Sequence, residues 1–209
     1  FKDKKVLKIT AVFVLWYAAN HCTVSFYSTY CIKELGFSLT TVSIIALISS
    51  GARILVSKFW GSYADHNSFA KMIIWCFLVT AVGFIATTFA VPANGIYLYP
   101  IYSICHAIGQ GGINSALINL CYDYVPFSKR ADALAFSQAA AGLTGFLAAL
   151  CASPLVSHIQ ANGNRLFGIP VYAQQVTSII AFFLVIAVII YVVFVVLPIK
   201  RDRGGLRNQ

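Results

Sequence analysis

The sequence predicts an all-α membrane protein: six transmembrane helices arranged as two inverted three-helix repeats. Three observations carry this prediction. Hydrophobic residues make up 59% of the 209-residue chain and charged residues 10%, with a mean hydropathy of +0.80, a composition foreign to soluble domains. Six apolar runs reach the roughly 20 residues that a spanning helix needs. Polarity within those runs rises and falls with a period of three.

The runs cover residues 9–32, 39–61, 71–91, 95–122, 131–158 and 172–198. Between them lie Lys33 to Ser38, the polar stretch around Asp65, Pro92 to Asn94, Asp123 to Arg130 and His158 to Val171, each rich in charge or turn formers. No length remains for a soluble domain. Residue 1 is Phe and the single methionine is Met72, so the chain is expected to be a fragment or a processed piece, opening on a basic segment rather than a signal peptide.

Charge sets the orientation. Lys2, Lys4, Lys5, Lys8, Lys58, Lys71, Lys129, Arg130, Lys200, Arg201, Arg203 and Arg207 fall on one side, and only Lys33 and Arg165 on the other. The positive-inside rule then puts both termini in the cytoplasm, and the expected location is the plasma, or inner, membrane. A net charge of +9 would suit nucleic acid, but basic residues parted by twenty apolar ones mark membrane ends instead. Six scattered cysteines show neither a CxxC pair nor metal-ligand spacing, and read as small apolar fillers. No metal and no cofactor is expected.

The first and fourth runs carry Asn, His and Gln near their middles, whereas the third from Met72 to Val91 and the sixth from Thr177 to Leu197 carry nothing more polar than Ser, Thr or Tyr. Amides and imidazoles are costly in hydrocarbon unless they face partners or water. The first and fourth helices should therefore line an interior, and the third and sixth should face lipid. That order, repeated twice, suggests the three-plus-three inverted repeat. Interhelical glue is the alternative use of such polar groups.

On the fourth helix Tyr99, Tyr102, Ser103, His106, Gln110 and Asn114 recur at three- and four-residue steps and so share a face. Gly109, Gly111 and Gly112 beside Gln110 leave room for a neighbouring helix or a ligand. On the first helix Tyr17, Asn20, His21 and Ser28 form a similar face, with Ser25 and Tyr27 at its edges. Together they would offer amide, imidazole and phenol groups to a small hydrogen-bonding solute. Arg53 stands apart, about two turns, on the order of 12 Å, from the end of the second helix at Trp60. A charge so deep costs at least about 2.5–3.5 kcal/mol, and no carboxylate of the runs answers it. Arg53 should face a cavity and an anion. The candidate substrate-binding residues are thus Tyr17, Asn20, His21, Arg53, Tyr102, His106, Gln110 and Asn114.

The stretch Gly61-Ser62-Tyr63-Ala64-Asp65, followed by Lys71, resembles the signature loop of the major facilitator superfamily, Gly-x-Leu-Ala-Asp-Arg-x-Gly-Arg-Lys. Gly61, Ala64 and Asp65 match, Tyr63 stands for Leu, and His66, Ser68, Phe69 and Ala70 replace the Arg, Gly, Arg and Lys. Tyr122 to Leu134, with Pro126 and then Lys129-Arg130, is similar to the family's link into the next-to-last helix of each half. The resemblance implies half of a twelve-helix transporter fold, the C-terminal half, whose partner is an N-terminal six-helix half. It implies three regions: 1–8 as the end of the cytoplasmic linker, 9–198 as the bundle and 199–209 as a basic tail. The activity implied is secondary transport by alternating access, as a symporter or antiporter. The polar faces and Arg53 point to a small polar or anionic solute. If transport is proton-driven, the carrier of the coupling proton is His21 or His106 or lies in the other half; a facilitator or exchanger is the open alternative. Gly61, Asp65, Lys71 and Arg130 are the expected gating residues: Gly61 for close approach, Asp65 as a helix cap and latch paired with Arg130.

Other classes fare worse. A rhomboid-type protease would need Gly-x-Ser-Gly, and Ser50-Gly51 is preceded by Ile48; His-Glu-x-x-His is absent too. The prolines do not follow the threefold repeat of mitochondrial carriers. A channel or a non-transporting scaffold is the remaining alternative.

Overall fold

The computed structural model describes residues 4–199; the first three residues of the linker and the tail from Lys200 onward lie outside it. Six long helices are present: α1 (Lys4–Val24), α2 (Leu39–His66), α3 (Phe69–Thr88), α4 (Gly95–Tyr124), α5 (Arg130–Ala161) and α6 (Ala173–Tyr191). α1 is prolonged by the turn Tyr27–Thr29 and a π-turn at Tyr30–Glu34, and α6 by a π-turn at Val192–Val196. Five of the six are long and apolar enough to cross a membrane. α4 falls short on composition because of its polar stripe, but its 30 residues have length to spare.

Each start has a local cause. Ser38 caps α2 by accepting from the Thr41 amide at 3.1 Å, and Ser68 caps α3 by accepting from the Lys71 amide at 3.1 Å. The second cap corrects two expectations. The Gly61 to Asp65 stretch is not a loop: α2 continues through it to His66, five residues past the end expected from hydropathy. Asp65 sits in the last turn of α2, and Ser68 rather than Asp65 caps α3. The ladder persists because helix ends are fixed by capping groups, and the Asn67 amide still reaches the Tyr63 carbonyl at 3.0 Å.

α1 packs on α5 and α6, α4 packs on α2 and α3, and α3 packs on α6; α1 and α4 meet where these two groups touch. Glycines set the closest approaches. A Cβ on Gly112 would run into Cys76 Sγ, and one on Gly109 would lie 2.8 Å from the Cys76 carbonyl oxygen, so α4 lies directly on α3. The expectation that α3 faces lipid holds for one side only. Met72, Ile73, Cys76, Phe77 and Phe84 are fully buried, and Trp75 and Val82 point outward at 52% and 55% exposure. Lack of polarity made α3 the hub of the packing, not its periphery. α2 and α5 are the open helices, showing Leu47, Leu55 and Phe59 and Leu143, Phe146 and Leu150 respectively.

Between α5 and α6 the chain forms a hairpin, β1 (Arg165–Leu166) against β2 (Ile169–Pro170). Its turn, Phe167-Gly168, has φ of 51° and 82°, the geometry of a two-residue type I′ connection. All six cysteines are free, with Cys22, Cys31, Cys76 and Cys121 buried as fillers and Cys151 exposed.

Candidate functional site

The face expected on α1 and the stripe expected on α4 meet at one contact. The His106 imidazole Nε2 and the Asn20 side-chain oxygen are 2.9 Å apart. Asn20 is 8% exposed, and His106 is half-buried. An amide oxygen only accepts, so in this contact the imidazole Nε2–H is the donor. The ring lies between aromatic neighbours, 5.4 Å from Tyr102 and 6.1 Å from Phe84 by ring centroids.

Around this pair the other candidates fall at different depths. The His21 ring is half-buried beside Tyr17, centroids 5.5 Å apart. It leans on α5, where a Cβ on Gly145 would come within 2.7 Å of it. The charge of Arg53 and the ring of His21 both lie within electrostatic range of His106. The Arg53 stem passes over Gly111, where a Cβ would stand 3.4 Å away, so the missing side chain gives the arginine its route across α4. Arg53 is exposed, and among the described residues no carboxylate pairs with it. Gln110 is half-buried one turn beyond His106, and Asn114 is exposed one turn further.

Tyr102 is placed differently. It is 4% exposed and stacks on Tyr27 at 4.0 Å, with Tyr99 at 5.8 Å. Its phenol is thus part of an aromatic layer beneath His106 rather than of an open face. Ser103 leaves the stripe altogether and bonds Ser49 of α2 at 2.7 Å. Trp60 anchors the same helix by donating from its indole Nε1 to the Ile108 carbonyl at 2.9 Å.

The residues expected to gate lie at the surface. Gly61, Asp65 and Lys71 are exposed, and a Cβ on Gly61 would meet nothing within 4 Å. The close approach expected there is therefore not made within this chain. Nor, among the described residues, does Asp65 pair with Arg130. The Arg130 Nε donates to the Val125 carbonyl at 3.1 Å, and the guanidinium lies over Phe127 and Tyr122 at 5.5 and 5.9 Å. α2 packs on α4 and α5 packs on α1, which keeps the two side chains on separate groups of helices.

Two polar features were not anticipated. Tyr27, Thr87 and Ser178 form a closed hydroxyl triangle with edges of 2.8, 3.1 and 3.0 Å, and Thr23 meets Thr177 at 3.1 Å. Gln174, Thr177 and Ser178 lie at steps of three and four on α6, a short polar stripe at the start of an otherwise apolar helix. The second is a carboxylate, Glu34, held by the side-chain amides of Gln160 in the last turn of α5 and Asn164 in the α5–α6 link.

A family model for the Major Facilitator Superfamily matches residues 9–208. The chain belongs to the Major Facilitator Superfamily. No curated protein matches it. Membership makes it an integral membrane protein that handles a small-molecule substrate in a bilayer, in a superfamily of transporters rather than enzymes. The Asn20–His106 contact joins α1 to α4, as the Ser49–Ser103 contact joins α2 to α4.

Proposed function

We propose that this chain is the C-terminal half of a secondary transporter that moves a small polar or anionic solute by alternating access, with Asn20, His106 and Arg53 at the centre of recognition. The Asn20–His106 hydrogen bond carries the reading: it joins the two most polar helices at their middles and leaves a ring nitrogen and an amide N–H for a ligand. Arg53, charged and unpaired by any carboxylate among the described residues, supplies attraction for an anion. His21, Tyr17, Gln110 and Asn114 extend the same polar zone along α1 and α4, and Tyr102 floors it.

Two observations favour a half of a larger bundle. Exchanging α1 with α4, α2 with α5 and α3 with α6 carries the main packed pairs onto one another, α1–α5 onto α4–α2 and α1–α6 onto α4–α3, the relation expected of two inverted three-helix repeats. α2 and α5, which this exchange relates, expose apolar side chains suited to a second six-helix half. With both termini cytoplasmic, Gly61, Asp65, Lys71 and Arg130 lie on one face of the membrane, where a gate between halves would close. Proton coupling would fall to His21 or His106, or to the other half.

Co-reconstitution of the chain with its N-terminal half in proteoliposomes tests this. Saturable solute exchange that falls in Asn20→Ala and His106→Ala supports it; an ohmic current, or no flux of any polar or anionic solute, overturns it.

A further inference from the structure

At the end of the bundle away from Lys4, a cavity of about 170 Å³ opens between the end of α1, the last turns of α5 and the start of α6. Glu34, Gln160, Gln174, Ser153, Ser157 and Thr29 supply its polar lining. The space is several times the roughly 30 Å³ that one water occupies in the liquid.

Hydrogen-bond bookkeeping in this cavity does not close. Glu34 accepts from Asn164 Nδ2 at 2.7 Å and from Gln160 Nε2 at 3.4 Å. Each carboxylate oxygen has a second lone pair to offer. Gln174 is 3% exposed; its Nε2 donates to the Thr23 hydroxyl at 2.5 Å and to the Thr23 carbonyl at 3.4 Å. Its Oε1 is buried and has no partner, and neither has Asn164 Oδ1. Gln174 Nε2 faces the Thr23 carbonyl and Asn164 Nδ2 faces the Glu34 carboxylate, both pure acceptors, which leaves Gln174 Oε1 and Asn164 Oδ1 as the orphaned atoms. The surplus is one of acceptors.

Charge points the same way. Neither Lys33 nor Arg165, both exposed, forms an ion pair with the Glu34 carboxyl group among the described residues. α1 and α5 both end here, each bringing the partial negative charge of a helix C-terminus. The N-terminus of α6 opposes them with about half a positive unit, less than the full charge of one carboxylate. A single carboxylate balances one unit of positive charge, which excludes a tightly held divalent ion.

We propose that the cavity between Glu34 and Gln174 binds a small monovalent cation, coordinated or hydrogen-bonded by the Glu34 carboxylate, Gln174 Oε1 and the neighbouring hydroxyls. The chemistry is that of an oxygen-lined site, open to an alkali ion or to a primary ammonium group. Occupation would tie the ends of α1, α5 and α6 together, apart from the Asn20–His106 zone.

Thermal unfolding of the purified protein in detergent tests it, in sodium chloride, methylammonium chloride or N-methylglucamine chloride at equal ionic strength. A saturable rise in the midpoint with sodium or methylammonium over the bulky control supports the site, on the order of 5 °C at a hundred times Kd. Which of the two acts names the source. The rise should vanish in Glu34→Gln and weaken at least tenfold in apparent affinity in Gln174→Met, the second variant serving if the first does not fold. Equal midpoints in all three salts, or a rise that persists in both variants, overturn the proposal. The measurement reads binding without flux, so its failure leaves the transport reading standing.

Discussion

His106 of α4 and Asn20 of α1 are joined at 2.9 Å, and this contact links the two groups of helices at their most polar level. In hydrocarbon an imidazole without a partner is costly, so one bond serves both stability and the presentation of polar groups to a solute.

Breaking it from either side should give related losses. Asn20→Ala and His106→Ala are expected to show a coupling energy of about 0.6–1.7 kcal/mol in a double-mutant cycle. Unfolding in a graded detergent mixture would measure it. Additive losses would mean that the pair does not couple.

Arg53 should sort substrates by charge. Arg53→Ala is expected to lower affinity for an anionic solute by roughly tenfold or more, about 1.4 kcal/mol, and to leave a neutral analogue nearly unaffected. Competition binding with a matched anionic and neutral pair reads the difference, and equal loss for both removes the counter-ion role.

Gly112 and Gly61 should behave oppositely. Gly112→Ala drives a methyl into Cys76 and Trp60 and should cost about 1–3 kcal/mol of stability. Gly61→Ala has open space and should leave stability unchanged or raise it by about 0.5–1 kcal/mol. A fall in flux with Gly61→Ala, at undiminished stability, would then report on gating between halves.

The hydroxyl triangle is a matter of stability rather than recognition. Thr87→Val combined with Ser178→Ala removes both partners of the Tyr27 hydroxyl, which is 4% exposed as a residue. The expected cost is about 1–3 kcal/mol, seen in thermal midpoints, with transport per folded molecule unchanged. A selective loss of transport would assign the triangle a functional part.

Asp65→Asn should shift the balance of inward- and outward-facing forms, which distance measurements between spin labels on the two halves would follow. An unchanged balance and rate would leave Asp65 as no more than an exposed residue of the last turn of α2.

Steps of three and four place side chains on one helix face, and this spacing picked out Asn20 and His106, which the structure joins, together with Gln110 and Asn114, which lie further along α4. Tyr102 obeys the same spacing, yet the structure stacks it against Tyr27. Spacing says which residues share a face, not whether that face meets a cavity or another helix. Glu34 has no such spacing to betray its surroundings: its amide partners, Gln160 and Asn164, lie more than a hundred residues away along the chain and are brought near by the packing of α5 on α1.

The sequence by itself determined the class, the number of helices and the polar ranking among them, because burying a backbone in lipid demands long apolar runs and penalises each stray amide or charge. Tertiary structure decided which runs pack together and where each helix stops. It made the apolar α3 the hub through contacts at Gly109 and Gly112, carried α2 through Asp65 to His66, gave the cap of α3 to Ser68, and seated Arg130 over Phe127 rather than beside Asp65. These outcomes depend on how closely two backbones approach and on which donor reaches which acceptor, quantities set by shape in three dimensions rather than by composition along the chain.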